Sequence, residues 1–247
     1  MAFEKLKTCP LIETVCEFRL ADTVSWDDTV AAKLHDHLKA DFPLAQALSG
    51  KNVEITFGPK GPAVNESAPS RKQFFSADKL ALIQADTRMV SANRLAPYRG
   101  WETDFLPIIR RALEAMRDVR PGFALARIGL RYINSITLRP DDLDLDHYLT
   151  ILPRLTGRLE RPLQGFFARY ELSHAEIGAA LLLQAGLRRE GAQTKVVLDL
   201  DCMTLKASEL KTDKEIEAWL DGAHACVIES FNASITADLL GRLKKGL

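Results

Sequence analysis

The stretch Ala126–Leu138, ARIGLRYINSITL, alternates with a period of two over its length. Ala126, Ile128, Leu130, Tyr132, Ile136 and Leu138 share one parity, with Asn134 the polar member. Arg127, Gly129, Arg131, Ser135 and Thr137 share the other, with Ile133 the exception. Successive side chains of a strand point to opposite faces. The pattern therefore predicts a strand with one face on a core and the other open to solvent or a ligand. Such a strand needs neighbours, and the rest of the chain supplies them.

Leu11–Leu20 reads the same way: Ile12, Thr14, Cys16, Phe18 and Leu20 on one face, Glu13, Val15, Glu17 and Arg19 on the other. Strand patterns recur at Asn52–Phe57, Arg71–Ser76, Leu80–Asp86, Arg88–Leu95, Gly165–Leu172, Ala180–Leu187 and Lys195–Cys202. Gly58–Ser70, rich in turn formers, reads as a mobile loop. Helical spacing predicts a helix capped by Ser25, with Trp26, Val30, Leu34 and Leu38 as its apolar stripe, ending at Phe42-Pro43. Trp101–Arg117 and about Asp144 to Leu152 read as further helices. Thr212 and Glu215 form a capping box for a long helix striped by Ile216, Trp219, Leu220, Ala223, Val227 and Phe231. Thr236 caps a short terminal helix.

Residues 1–120 and 121–247 therefore both run strand, helix, several strands, long helix. Short turns between consecutive strands favour antiparallel pairing, and helices at the ends of each half would cover one face. The expectation is an α+β protein: a large antiparallel sheet with helices on one face, built of two tandem β-α-β(3-4)-α halves in one compact unit. That element order resembles the saddle of TATA-binding-protein-like folds. The resemblance is one of layout and carries no function.

The 247-residue chain is 47% hydrophobic and 27% charged, with 33 Lys+Arg against 33 Asp+Glu. It is long enough for a sizeable core. Its neutral balance points to neither nucleic acid nor membrane. No apolar run reaches the length of a bilayer span, and the N-terminus lacks a secretory pattern, so the expected location is the cytoplasm. Cys9, Cys16, Cys202 and Cys226 form no CxxC pair, and Cys16, Cys202 and Cys226, each within an apolar pattern, read as small buried hydrophobes. No phosphate loop, dinucleotide fingerprint, nucleophile elbow or zinc-protease motif occurs, so no cofactor is expected. His35 and His37, two apart on a helix, point apart and make no metal pair. The acids Asp141, Asp142, Asp144 and Asp146 suit a helix start.

Several stretches resemble a family of bacterial and archaeal proteins of about this length, sporadically distributed and of unknown function. They are Pro10-Leu11-Ile12-Glu13 running into Cys16-Glu17-Phe18-Arg19, Leu82-Ile83-Gln84, Tyr98 with Gly100-Trp101-Glu102, Gly129-Leu130-Arg131-Tyr132-Ile133-Asn134, and His224 followed by Phe231 and Ile235-Thr236. They span nearly the whole chain, and GLRYIN is the most distinctive. The resemblance implies full-length membership and one fold, with no substrate or catalytic residue. A patchy distribution implies a mobile accessory gene, defence systems among the possibilities.

The candidate site is the polar face of the two leading strands. Placed side by side, Glu13 and Glu17 would pair with Arg127 and Arg131, and Arg19, Gln84, Asp199 and Asp201 would line the same face. Paired, these charges knit a solvated sheet. An arginine left unpaired in a concavity would bind an anionic ligand or an acidic segment of a partner protein. On that reading Arg131→Ala abolishes binding and leaves stability nearly unchanged. Residues 88–139 carry ten arginines, no lysine and four acids, which raises a nucleic-acid clamp as one alternative. An enzyme without a local motif is another. A non-enzymatic binding protein is the favoured expectation. Tyr98–Trp101 reads as core anchoring rather than ligand stacking, and His224 as a partly buried structural histidine.

Overall fold

The computed structural model describes residues 3–21, 28–47, 52–58, 61–67, 71–140, 143–152, 156–159, 165–190 and 193–246. The Ser25 cap, Trp26, Asp141 and Asp142 lie outside them. The chain is mixed α+β. Its strands are β1 (Leu11–Leu20), β2 (Leu44–Ala47), β3 (Asn52–Gly58), β4 (Gly61–Ser67), β5 (Lys72–Phe75), β6 (Ala81–Ala85), β7 (Met89–Leu95), β8 (Leu125–Thr137), β9 (Phe167–His174), β10 (Ala179–Glu190) and β11 (Gln193–Thr204). Its helices are α1 (Asp28–Leu38), α2 (Leu106–Val119), α3 (Asp213–Ser234) and α4 (Ala237–Lys245). Nine strands form one sheet in the order β2-β5-β6-β7-β1-β8-β11-β10-β9. Every pairing in it is antiparallel.

The opening stretch becomes β8 and sits near the middle of the sheet, between β1 and β11. Cys16, Phe18, Ile128, Leu130, Tyr132, Leu198, Leu200 and Cys202 are fully buried and share the core face. α2 lies against β6 and β7, α3 against β8 and β11, and α1 against β5 and α2. Burying a Leu or Phe side chain of this kind contributes about 1.5–3 kcal/mol. Val15, Glu17, Arg127, Gly129, Arg131 and Ile133 have the opposite parity and stay out of the core cluster. Among the described residues no helix is long and apolar enough to cross a membrane.

Two register shifts correct the strand reading. β1 slips against β8 between Leu11 and Glu13, so Leu11 is buried and Ile12 is 44% exposed. A second slip between Arg19 and Leu20 brings Leu125 into the core and leaves Ala126 exposed. An extra residue in a pair reverses the parity beyond it, which strict alternation cannot register.

Other boundaries moved for local reasons. β2 was not expected, because its four residues are all exposed and carry no alternation. Gly58–Ser70 is not all loop: residues 61–67 pair with 52–58 as a separate hairpin. The helix expected from Trp101 opens as a wide π turn over Trp101–Phe105 before α2 begins. The helix expected at about Asp144 to Leu152 is one turn, Leu145–His147, capped by Asp144. Beyond it Leu149 bridges to Ile235, and Thr150 N–H donates to the Ser234 carbonyl at 3.0 Å. Bonds to the end of α3 take the backbone groups that a longer helix would have used.

The capping box at α3 forms as spacing predicts. Glu215 N–H donates to Thr212 Oγ1 at 3.2 Å, and Thr212 N–H donates to Glu215 Oε2 at 2.8 Å. Thr212→Ala is expected to cost about 1 kcal/mol in urea unfolding, typical of a lost N-cap. A midpoint unchanged from wild type would show that the cap contributes nothing.

Candidate functional site

The open face of the sheet carries a polar band that runs across the strands. Gln46 on β2 donates to Gln73 on β5 at 3.0 Å, and Gln73 donates to Gln84 on β6 at 3.0 Å. Gln84 donates to Asn93 on β7 at 3.3 Å, and Asn93 donates to Glu13 on β1 at 2.8 Å. Ser91 Oγ also reaches Asn93 Oδ1, at 2.9 Å. Five strands are thus joined by side-chain amides on one face. Each link is a direct or diagonal cross-strand neighbour, the separation at which such side chains meet.

Charges dominate the centre of the band. Arg19 Nε and Arg127 Nη2 both donate to Glu17 Oε1, each at 2.7 Å. Arg127 Nη1 also lies 3.3 Å from Met203 Sδ. Burial alone would raise the Glu17 carboxyl, but the bonds from Arg19 and Arg127 outweigh it and hold it below its ordinary value. Arg131 grips Asp199 with a two-pronged fork, Nε to Oδ1 at 2.8 Å and Nη2 to Oδ2 at 2.5 Å. The Asp199 hydrogen bond, against desolvation, raises Arg131 further.

The expected pairing is half realised. Glu17 does meet Arg127. Arg131 turns the other way, to β11, and Glu13 is taken by Asn93. Direct register explains part of this: Val15, not an acid, stands opposite Arg131 on β1, whereas Asp201 stands opposite it on β11 and Asp199 lies diagonal. No long-range strand order is written in local periodicity, so β11 was invisible as a neighbour of β8. Gln84, Arg19, Asp199 and Asp201 share the face as expected. Asn93, Ser91, Gln73 and Met203 were missed, although their parity within their own strands pointed to the same face.

Asp201 differs from the rest. It makes no hydrogen bond or ion pair among the described residues. Burial raises its carboxyl above the ordinary value, against the attraction of Arg127 and Arg131. Gly129 makes room for it: a Cβ there would stand 3.3 Å from Asp201 Oδ1. Counting Asp201 itself, the patch holds four acids, Glu13, Glu17, Asp199 and Asp201, against three cations, Arg19, Arg127 and Arg131. Among the described residues of this patch both strand arginines already bond carboxylates, Arg127 keeping a buried Nε without a partner, and Asp201 is the carboxylate that no side chain bonds.

Beneath the same strands lies an aromatic cluster. Tyr132 Oη is 2.8 Å from His224 Nδ1 and 3.3 Å from Tyr98 Oη. Trp101 stacks on His224 at 4.3 Å and donates to Asp221 at 2.9 Å. Phe3 packs against Tyr98, Tyr132 and Phe231. Burial lowers His224 from 6.5 to about 4, which keeps the ring neutral at pH 7. Trp101 is buried, in line with core anchoring.

The arginine-rich segment is mostly internal wiring. Arg94 pairs with Asp104 at 2.9 Å, Arg110 with Glu217 at 2.7 Å, Arg111 with Glu114 at 3.1 Å, and Arg117 with Asp213. Arg120 is buried and donates to the Thr87 carbonyl at 3.2 Å. No group of three metal-ligating side chains occurs among the described residues. His35 stacks on Phe74 while His37 reaches Asp118, so the two diverge. Cys16, Cys202 and Cys226 are buried and unbridged. The chain matches no protein-family model and no curated protein.

Proposed function

We propose that this protein is a non-enzymatic binding module that takes a partner protein across its open sheet face, with Asp201 as the acceptor for a basic side chain. The observation that carries this is the half-buried carboxylate of Asp201, held without a bonded partner beside Glu17, Arg127, Arg131 and Asp199, which pair with one another. A carboxylate kept partly desolvated without its own hydrogen bond costs stability, and perturbed groups of this kind concentrate at working sites. An ammonium or guanidinium would supply the missing bonds. An anionic ligand, the earlier expectation, would meet an excess of acids instead. A nucleic-acid clamp needs an uncompensated positive face, and the arginines of 88–139 are largely paired with acids. An enzyme site needs titratable groups gathered in an enclosure. Grooves of about 440 and 630 Å³ lie on the helix side, lined by α2 and α3 residues such as Arg117 and Asp213.

The same reading takes the chain as two tandem halves, 1–120 and 121–247, in a TATA-binding-protein-like layout. Its support is the strand order, which runs β1, β7, β6, β5 to one side of the centre and β8, β11, β10, β9 to the other. α2 and α3 occupy corresponding places. It also takes the chain as cytoplasmic and as a member of the sporadic family it resembles, acting in a mobile accessory system. Tyr98, Trp101, Tyr132, His224 and Phe231, drawn from that family's stretches, meet in the one cluster beneath the sheet, which favours a shared fold.

The test compares tagged wild type and Asp201→Asn for what each retains from native-host extract, analysed for protein and nucleic acid. Proteins with basic segments are expected on the wild type and lost from the variant. The variant is also expected to unfold at equal or higher urea, since it removes a desolvated charge. Equal retention by both chains, or nucleic acid alone on the wild type, overturns the proposal.

A further inference from the structure

The two edges of the nine-stranded sheet are unlike. β2 at one end has four residues and follows Pro43, a short edge that offers little to pair with. β9 at the other end has eight. It also carries two of the large exposed hydrophobics among the described residues, Phe167 at 69% and Leu172 at 44% exposure. One bond shows which of its main-chain groups face outward. Leu187 N–H donates to the Phe166 carbonyl at 3.2 Å, one step beyond the Gly186–Phe167 pair. Bonded and non-bonded pairs alternate along an antiparallel ladder. Ala168, Tyr170 and Leu172 therefore turn their N–H and C=O groups to β10. Phe167, Arg169, Glu171 and Ser173 turn theirs outward.

We infer that this edge pairs with the same edge of a second copy of the chain, antiparallel, about a two-fold axis at Tyr170. In that register Arg169 of each copy faces Glu171 of the other, and Phe167 faces Ser173. The four outward residues of each copy exchange about eight main-chain hydrogen bonds. Charge selects this register from its neighbours. A shift of two residues one way sets Arg169 against itself, and the other way sets Glu171 against itself. Like charges directly opposite disfavour pairing, and opposite charges favour it.

Within one copy Arg169 Nη2 already donates to Glu171 Oε1 at 2.7 Å, with both side chains more than half exposed. Across the axis the four charges form an alternating square. On the other face Leu172 lies opposite Ala168 and beside Tyr170, which removes it from water. The contact is self-complementary and closes as a dimer, and it joins two nine-stranded sheets into one.

Sedimentation equilibrium of the full chain tests the dimer. The wild type is expected at twice the 27.5 kDa chain mass. Arg169→Glu and Glu171→Arg, each placing like charges opposite on both sides of the axis, are expected to raise the dissociation constant at least tenfold, roughly the effect of losing close charge pairs. The double exchange Arg169→Glu/Glu171→Arg restores complementarity and the dimer. All three changes are at exposed positions, so urea unfolding at concentrations below the wild-type dissociation constant, where every chain is monomeric, should match wild type. Hydrogen exchange adds a local readout: amides of Arg169, Glu171 and Ser173 slow as wild-type concentration rises, and do not in either single variant. A wild type monomeric up to about 100 µM, weaker than specific homodimers bind, overturns the inference. So does a dimer indifferent to the single changes, or a double exchange that fails to recover it.

Discussion

Acidification from pH 7 to pH 4 is expected to remove about 3 kcal/mol of stability through one side chain, His224. Burial lowers this imidazole to about 4, against an ordinary value of 6.5. The unfolded chain therefore takes up a proton near pH 6.5, and the folded chain only near pH 4. Between those values the unfolded state binds more protons, so stability falls as pH falls. The contribution is whole above pH 6.5, drains through the window, and is flat below pH 4. A separation of 2.5 pH units corresponds to about 3 kcal/mol.

The geometry explains why the charged ring is disfavoured. With its proton on Nε2, the neutral ring accepts the Tyr132 hydroxyl proton at Nδ1, 2.8 Å away, while Trp101 covers one face at 4.3 Å. A second proton would turn Nδ1 from acceptor to donor and place a cation under the sheet, with Asp221 as its only offsetting charge. Urea unfolding of wild type and His224→Gln at pH 7, 5.5 and 4 checks this. Carboxylates titrate in both chains and cancel in the difference. The wild type should lose about 3 kcal/mol more than the variant across the window. Parallel pH profiles would show that His224 is not the sensor.

Arg131→Ala is expected to cost about 2 kcal/mol of stability. The change removes both donors from Asp199, which is only 8% exposed. It also removes one of the two cations that face Asp201. Stranding a buried carboxylate costs several kcal/mol, but Arg131 itself is 44% exposed, so solvent screens part of the loss. Asp199→Asn in the Arg131→Ala background removes the stranded charge and should recover most of the stability. A single variant within about 0.5 kcal/mol of wild type would put Arg131 among ordinary surface residues. Of the two readings that alternation left open, the fork to Asp199 fits the paired one, in which Arg131 knits the sheet. Binding at this face is better probed through Asp201, whose removal leaves no partner stranded.

Period-two patterning was enough to find β1 and β8 and to put Glu13, Glu17, Arg127 and Arg131 on one face, because face assignment depends only on parity within a strand. It was also enough for the antiparallel α+β class and for the α3 cap, where Thr212 and Glu215 are three residues apart. It was not enough for Ile12 and Ala126, where register slips reverse parity. Nor was it enough for the short turn at Leu145–His147, which ends where the chain bonds to α3.

What the amino-acid order determines by itself is local: which residues are strand or helix, and which side of each faces the core. Which strands become neighbours is decided only in the folded chain, by the packing of α2 and α3 on one face and the closure of nine strands into one order. That choice sets Asp199 and Asp201, not Glu13, beside Arg131, across a separation of nearly seventy residues. An arginine legible as a binding arm thereby becomes a strut, and an aspartate that looked like lining becomes the free group. Charge pairing is a property of distance, and sequence separation does not encode distance between strands.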